Sequence, residues 1–417
     1  MSDSSLAEAR MSMTHPRPAA PSPSTWSIVG SGLVALAVAM GIGRFAFTPL
    51  MPLMIRDGAL DAVEGVEWAA ANYAGYLIGA LTASWFSRDP RRGLILSLGG
   101  VALTTLAMAE VGAMPSALYG ALLRGAAGVF SAWSLVCASS WCLAELARLR
   151  AGRLGSWIYT GVGLGVAFAG VLAWLGGRQP AHWLWAELGL VASAGALLVW
   201  ALSRGQSSPR AERSSPEAAA AGAPGRRGGQ WALVICYGTF GFGYILPATF
   251  LPAMARELAP DPLVFGLTWP LFGLTAALSV AVVSRSLPSV SRRRLWALAQ
   301  AAMALGAALP VMVPALWAVA ASAVLVGSSF MVATMAGLQL ARAARPDNPT
   351  PLLARMTSAF AVGQIGGPLL VRAIGAGRFA GWDALSVSGA IAALLLAITA
   401  LWLWREGRPS ADPGTRV

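Results

Sequence analysis

The stretch Met40-Gly-Ile-Gly-Arg-Phe-Ala-Phe-Thr-Pro-Leu-Met-Pro52 places a charged residue, Arg44, inside a run that is otherwise apolar enough to lie in lipid. A charged side chain at the centre of a bilayer costs about 2.5 to 3.5 kcal/mol on insertion scales, so it usually faces a polar cavity or a partner. Arg44 is therefore the first candidate for a functional residue.

The surrounding pattern returns 200 residues later, in Phe240-Gly-Phe-Gly-Tyr-Ile-Leu-Pro-Ala-Thr-Phe-Leu-Pro252. The pairs kept at this offset are Gly41 and Gly241, Gly43 and Gly243, and Pro52 and Pro252. A second set, at an offset of 202, relates Arg153, Gly161 and Gly165 to Arg355, Gly363 and Gly367. Two related halves with a binding site between them are a transporter architecture.

The composition is that of a membrane protein. Of 417 residues, 56% are apolar and only 12% are charged, and the mean hydropathy is +0.63. These values exclude an ordinary soluble domain. The net charge of +12 comes from arginines scattered between apolar runs, which indicates membrane topology rather than a nucleic-acid partner.

Twelve runs are long enough to cross a bilayer, whose core of about 30 Å needs about 20 helical residues. The predicted spans are 26–54, 66–86, 93–112, 116–145, 154–176, 181–203, 231–256, 262–284, 294–313, 315–341, 354–377 and 381–404. We therefore predict an all-α integral membrane protein with twelve transmembrane helices in two pseudo-symmetric six-helix bundles.

The domain boundaries follow from these spans and from changes in composition. We predict a disordered tail, a first bundle, a flexible Ser, Pro, Ala, Gly and Arg-rich linker, a second bundle and a short final tail, at 1–25, 26–203, 204–230, 231–405 and 406–417. Arginines concentrate in alternate short loops, which predicts that both termini are cytoplasmic in a bacterial inner membrane.

Prolines and glycines mark candidate conformational positions. Pro49, Pro52, Pro247 and Pro252 predict kinked or broken outer ends of the first and seventh spans, which then face a central pathway. Glycines four residues apart permit close helix packing, and they could also be surfaces on which the halves slide. These pairs are Gly75 with Gly79, Gly161 with Gly165, and Gly363 with Gly367.

Three motifs resemble the YbfB/YjiJ-type branch of the major facilitator superfamily: 40–45, 240–252 and Ala359-Phe-Ala-Val-Gly-Gln-Ile-Gly-Gly-Pro-Leu. The resemblance extends from about Trp26 to Arg405. It implies alternating access, suspected proton coupling, and a cavity lined by the first, fourth, seventh and tenth helices. The stretch Gly161-Val-Gly-Leu-Gly165 lacks the proline typical of drug-proton antiporters, which weakens a drug-efflux interpretation.

Arg44 and Arg124 are the principal candidates for substrate binding. At 1.5 Å per residue they lie at similar depths, roughly 15 and 12 Å from the outer ends of their spans. Two guanidinium groups at one depth suit a carboxylate or another anion. Alternatively, Arg44 could extend outward or bond to carbonyls freed by Pro49 and Pro52, and Arg124 could serve structure or proton coupling.

Further candidates for the substrate site are polar or aromatic residues within the spans. Aromatic residues at helix interfaces are also explained by core packing alone. Tyr244 is favoured because it replaces Arg44 in the second half, and Gln364 because it is an amide within a span. The full set is Asn72, Tyr73, Trp133, Tyr244, Phe330, Thr334 and Gln364.

The sequence thus predicts a secondary transporter of a small organic solute, with an anion favoured, that acts as a monomer in the lipid bilayer. An exporter of drugs or metabolites is the first alternative, and a membrane sensor without transport is the second. Motifs such as His-Glu-x-x-His and Gly-x-Ser-x-Gly do not occur, so we predict neither an enzyme nor a metal or other cofactor.

Overall fold

A computed structural model gives the fold, and it describes residues 23–113, 117–204, 227–259, 261–287, 290–345, 350–375 and 381–406. The predicted tails, 1–25 and 406–417, lie outside these ranges except for their residues next to the bundles. Most of the predicted linker, 204–230, also lies outside them. Residue 204 follows the preceding helix, and residues 227–230 begin the next one.

In the part of the chain that the structure describes, twelve long helices, α1 to α12, account for the predicted spans. The first, α1, consists of three consecutive segments, Pro23–Leu36, Ala37–Phe45 and Phe47–Arg56. The others, in chain order, are Ala62–Phe86, Pro90–Ala107, Ala117–Arg148, Thr160–Leu175, Ala181–Ser203, Arg227–Leu258, Thr268–Ser286, Arg292–Met312, Leu316–Ala344, Thr350–Ile374 and Ala384–Glu406. Short helical turns at Met108–Ala113, Gly152–Tyr159 and Pro262–Phe265 adjoin α3, α5 and α8.

Within the described ranges, ten helices are long and apolar enough to cross a membrane. The two long helices outside that set are α2 and α11, which are each 25 residues long and pack against each other between the two halves. Each of these two less apolar helices therefore places one face against the opposite half, while Leu81 of α2 and Val362 of α11 lie exposed on other faces.

Both ends of the described chain lie at one end of the bundle, which we call the termini end. Ser27 at the start of α1 donates to the carbonyl of Leu202 at the end of α6, at 3.4 Å. Arg293 at the start of α9 forms an ion pair with Glu406 at the end of α12, at 3.5 Å. The opposite end is called the far end.

The two halves repeat the same helix pairing, as the sequence repeat predicts. In the first half α1 packs on α5, and a Cβ on Gly41 would overlap the backbone of Gly165. In the second half α7 packs on α11, and a Cβ on Gly241 would overlap the backbone of Phe360. The glycines common to both halves thus allow equivalent close crossings.

Different glycines form the contact between the halves. Helix α5 crosses α8 where a Cβ on Gly163 would overlap the backbone of Ala277, and one on Gly273 would overlap that of Ala167. The predicted pair Gly161 and Gly165 instead faces α1 within the first half. The sequence allowed two interpretations of this pair, close helix packing or a surface on which the halves slide. The contacts of the pair are those of close packing within one half.

The two halves differ at α1. Residues 37–45 form π-helical turns, which are wider than α-helical turns and are frequent at functional sites. The irregular backbone thus precedes Pro49 and Pro52 rather than coinciding with them. In α7 the helix runs without interruption through Pro247 and Pro252, so the break expected there is not found.

A carboxylate joins the far end of α1 to the start of α6. Asp57 accepts from the backbone N–H of Ala181 and from the Arg56 side chain, each at 2.7 Å. Partial burial acts to raise the pKa of Asp57, but these hydrogen bonds and the charges of Arg56 and His182 outweigh it and leave the pKa below its ordinary value. Pro180, at the N-cap position of α6, makes no side-chain hydrogen bond to the helix. The Asp57 carboxylate therefore caps the N-terminus of α6 in its place.

We expect Asp57→Ala to lower the free energy of unfolding by about 1 kcal/mol at pH 7, the usual cost of a lost cap. Because the pKa of Asp57 is lowered by folding, its contribution is fully present above the unfolded pKa of about 4 and is lost as the pH falls from there through the lower pKa of the folded state. Thermal unfolding in detergent at pH 7 and at about pH 2 measures this. Glu257→Gln, at an exposed position, is the control, and an equal deficit at both pH values would contradict the prediction.

Candidate functional site

Arg44 lies at the end of the π-helical segment, between the two halves, with only 3% of its surface exposed. Its Nη2 donates a hydrogen bond to Oε1 of Gln364 on α11. The Nε2 atom of Gln364 in turn donates to the hydroxyl of Tyr244 on α7, at 2.5 Å. Three of the predicted substrate-binding residues therefore form one chain of hydrogen bonds that links the halves.

Aromatic rings surround the Arg44 guanidinium. Its Cζ lies 3.8 Å from the centre of the Tyr76 ring, 5.2 Å from that of Phe45 and 5.9 Å from that of Tyr73. Such cation–π contacts contribute about 2 kcal/mol or more when they are desolvated. Among the residues that the structure describes, no carboxylate lies within 4.0 Å of this guanidinium, and its Nε has no hydrogen-bond partner.

Arg124 has a different environment at the same depth. Its Nη1 donates to the backbone carbonyl of Gly43 at 3.0 Å, and its Nη2 donates to that of Arg44 at 2.9 Å. Pro49 has no N–H, so it cannot donate to the carbonyl of Arg44, five residues earlier, in a π-helical turn. The guanidinium of Arg124 provides donors in its place. The sequence offered bonding to the freed carbonyls of α1 as an alternative role for Arg44. In the structure Arg124 makes such bonds instead.

Two other predicted residues lie away from the centre. Asn72 donates to the backbone carbonyl of Arg124 at 2.9 Å, between α2 and α4. Trp133 is half-buried, donates to Thr82 at 2.9 Å, and stacks on Phe86 with ring centres 4.0 Å apart. Neither side chain borders the central cavity, so the structure does not bring them to the site that the sequence suggested.

The far end of the bundle is closed across the halves. The hydroxyls of Tyr73 on α2 and Thr249 on α7 are 3.1 Å apart and buried. Nearer the surface, Glu67 on α2 forms an ion pair with Arg372 on α11 at 3.2 Å. Tyr73 therefore contributes to this closure as well as lying beside Arg44.

A cavity of about 60 Å³ lies against Arg44 on the side toward the termini end. Helices α1, α4, α7 and α10 all contribute to it, as the family resemblance implies, and α2, α5 and α11 contribute as well. Its lining residues are Met40, Arg44, Phe45, Tyr76, Leu135, Tyr159, Val162, Tyr237, Tyr244, Phe330, Met331, Thr334, Leu338, Thr357 and Phe360.

Four of these residues, Arg44, Tyr244, Phe330 and Thr334, are ones that the sequence predicted. Two aromatic residues of the lining, Tyr76 and Phe360, were not among the predicted ones. Tyr76 lies four residues after Asn72 and Phe360 four residues before Gln364, so each is separated from a predicted residue by about one helical turn. Helical spacing from the polar residues was the signal that could have found them.

A second cavity, of about 170 Å³, continues from the first toward the termini end. The two share Tyr159 and Leu338 as lining residues. The remaining walls come from the ends of α4 and α10 and from the turns before α5, and include Leu143, Gly155 and Gln339. Toward the termini end the site thus adjoins a second cavity, and toward the far end the contacts of Tyr73 with Thr249 and of Glu67 with Arg372 close it.

Comparisons with known proteins agree with this architecture. A family model described as "Uncharacterised MFS-type transporter YbfB" matches residues 36–401. A search of curated proteins found no match. The crystal structure of the nucleoside transporter NupG has a TM-score of 0.65 at 12% identity, covering 93% of this chain and 100% of that one.

Two further solved structures are similar in fold. The crystal structure of a D-xylose-proton symporter gives a TM-score of 0.68 at 14% identity, with 92% of this chain and 98% of that chain covered. The proton:xylose symporter XylE bound to 6-bromo-6-deoxy-D-glucose gives 0.70 at 13% identity, with coverages of 92% and 96%. Since the family model spans most of the sequence and the twelve-helix fold agrees with it, this chain belongs to the YbfB-type family of major facilitator superfamily transporters, a family of secondary transporters that span the membrane many times.

Proposed function

We propose that this transporter carries a small organic anion by alternating access and that Arg44 binds the carboxylate of the substrate. The observation that carries the proposal is a buried guanidinium that borders a cavity between the halves and has no carboxylate partner among the described residues. A buried cation without a counter-charge is costly, and an anionic ligand offsets that cost. An arginine fork binds a carboxylate through two parallel hydrogen bonds.

The substrate carboxylate would compete with Gln364 for Arg44. The Arg44 to Gln364 bond joins α1 of one half to α11 of the other. A carboxylate that takes the guanidinium releases this amide, so binding alters a link between the halves. This exchange supplies a physical reason why occupancy would change the conformational equilibrium.

Arg124 has a positioning role in this proposal, in place of the substrate contact predicted from the sequence. Its two hydrogen bonds hold the backbone of Gly43 and Arg44, which sets the position of the Arg44 side chain. Gly41 and Gly165 serve the same end, because they let α5 support the irregular part of α1. Gly161 faces Leu33 just before that part, and Gly43 faces Val101 of α3 and Ser131 of α4.

The remaining parts of the proposal concern topology and energy coupling. Two six-helix domains, 26–203 and 231–405, would act as a monomer in a bacterial inner membrane, with both termini and the open cavity on the cytoplasmic side. Proton coupling is supported by the similar fold of a D-xylose-proton symporter. Glu145, which is buried and paired with Arg148 at 2.8 Å, is a carboxylate that could take part.

Export of lipophilic cations, the first alternative from the sequence, is less well supported. The cavity presents the cation Arg44, and its described lining has no acidic side chain to attract a positive ligand. A positive drug would therefore meet like charge at its binding site.

Arg44→Lys and Arg44→Ala test the proposal. Because charge-assisted hydrogen bonds contribute about 1.5 to 3 kcal/mol, we expect uptake at low substrate concentration to fall by about tenfold or more in both variants. The measurement is uptake of labelled acetate, lactate, succinate and benzoate into proteoliposomes that contain the purified full chain.

Arg285→Lys, at an exposed position at the end of α8, is the matched control and should transport normally. Size-exclusion profiles check that each variant is folded. Uptake of every tested anion at the wild-type rate by folded Arg44→Ala would overturn the assignment of Arg44 as the group that binds the carboxylate. If the wild-type protein took up uncharged sugars and none of these anions, the proposal that the substrate is an anion would be overturned.

A further inference from the structure

We infer that the preferred substrate is a monocarboxylate with an aromatic ring, an inference that rests on the function proposed above. Only 9% of the whole chain is aromatic, yet seven of the fifteen residues that line the cavity beside Arg44 are Phe or Tyr. Four of the chain's six tyrosines are among them, namely Tyr76, Tyr159, Tyr237 and Tyr244.

The charge at the site fits a single carboxylate. Arg44 is the one charged residue in the described cavity lining, and Arg124 is already bonded to two backbone carbonyls. A dicarboxylate would therefore leave one carboxylate without a cation in a low-dielectric site. An amino acid would place its ammonium near Arg44 without an acidic partner. Both classes are disfavoured relative to a monoanion.

The walls fit a flat apolar body better than a polyol. The Tyr244 ring lies almost parallel to those of Phe330 and Phe360, at interplanar angles of 8° and 9° and centre distances of 5.5 Å. The hydroxyl of Thr334 already donates to a backbone carbonyl at 2.9 Å. Some tyrosine hydroxyls of the lining are also engaged, since that of Tyr159 lies 3.1 Å from the Ser139 hydroxyl and that of Tyr244 accepts from Gln364. A sugar has more hydroxyls than the remaining groups can pair, and each unmet hydrogen bond costs free energy.

The position of the guanidinium places the ring of such a substrate beside this aromatic stack. Tyr76 covers one face of the Arg44 guanidinium at 3.8 Å, and an edge of the same group points to Gln364. Gln364 is bonded to Tyr244, so a carboxylate that replaces the amide has Tyr244 and Phe330 next to it. Aromatic pairs contribute about 0.5 to 1.5 kcal/mol beyond the area that they bury.

A ligand series on the purified wild-type protein tests the inference without depending on any variant. The probes are benzoate, cyclohexanecarboxylate, benzamide, phthalate and phenylalanine. The apparent Kd of each is measured by thermal shift and by its competition with the uptake of labelled benzoate. We expect benzoate to bind about three- to tenfold more tightly than cyclohexanecarboxylate, the fold-change equivalent to one aromatic pair. Benzamide, phthalate and phenylalanine should each bind at least tenfold more weakly than benzoate.

Phe330→Leu removes one ring of the stack and should bring the ratio of benzoate to cyclohexanecarboxylate affinity close to one. Tyr244→Phe keeps the ring and should preserve the ratio.

Tighter binding of cyclohexanecarboxylate than of benzoate, or equal binding of benzamide and benzoate, would overturn the inference. Arg44-dependent binding of acetate or lactate with no aromatic preference would overturn the inference but leave the proposed function intact. Absence of any anion binding would overturn both.

Discussion

Arg124→Met is expected to impair both folding stability and transport, although Arg124 does not border the cavity. The variant leaves the carbonyls of Gly43 and Arg44 without their donors, at a cost of about 1 to 3 kcal/mol for each buried group. Relief of the buried charge offsets part of this cost, so we expect a net loss of about 1 to 3 kcal/mol. A shift of about 1 Å in a positioned group can reduce a rate about a hundredfold, so transport should fall by at least about tenfold.

The kinetic parameters separate positioning from direct substrate contact. Arg124→Lys keeps the charge but cannot donate to both carbonyls as the planar guanidinium does, so this variant should recover only part of the thermal stability. Arg256→Met, at an exposed position in α7, is the control. If Arg124→Lys raised KM while its melting temperature matched the wild type, direct substrate contact would be the better description.

Gly75→Ala should prevent normal packing of the first half. A Cβ at this position would overlap the carbonyl oxygen of Gly125 on α4, and one at Gly79 would lie 2.7 Å from that of Val129. Backbone atoms cannot move aside as a flexible side chain can, so α2 and α4 would have to separate. Overpacking of this kind costs about 1 to 3 kcal/mol or more.

The matched control for Gly75→Ala is Gly99→Ala, because a Cβ at Gly99 meets no atom within 4 Å. Fluorescence-detected size exclusion should show a monodisperse peak for the control and a reduced or aggregated peak for Gly75→Ala. Equal melting temperatures for the two variants would contradict the assigned packing of α2 on α4.

Much of the fold could be predicted from the sequence because its physical causes are local. A helix long enough to cross lipid must be apolar over about 20 residues, and that signal located the spans within a few residues. The repeat of Gly41 and Gly43 as Gly241 and Gly243 predicted the equivalence of the halves. The π-helical turns of α1 escaped prediction because the prolines indicated irregular backbone at their own positions, whereas the irregular turns precede Pro49. The donors that reach the carbonyls of Gly43 and Arg44 come from Arg124 on α4, which is distant in the sequence.

The candidate site was only partly predictable for a similar reason. Arg44, Tyr244 and Gln364 were identified as polar groups within lipid-length runs, and they meet in the structure. Trp133 had the same kind of sequence signal but lies on another face of its helix. The role of Arg124 depends on two carbonyls that are 80 and 81 residues away, so neither spacing nor composition contains that information.

The backbone contact of α5 with α8 limits how the two halves can move. Since Gly163 and Gly273 already allow the two main chains to touch, the helices cannot approach further at this crossing, and separation would lose the close packing that these glycines permit. We therefore expect the crossing to act as a fulcrum. Spin labels placed on either side of it should keep a constant separation through the transport cycle, while label pairs at the termini end and at the far end should widen and narrow in opposition.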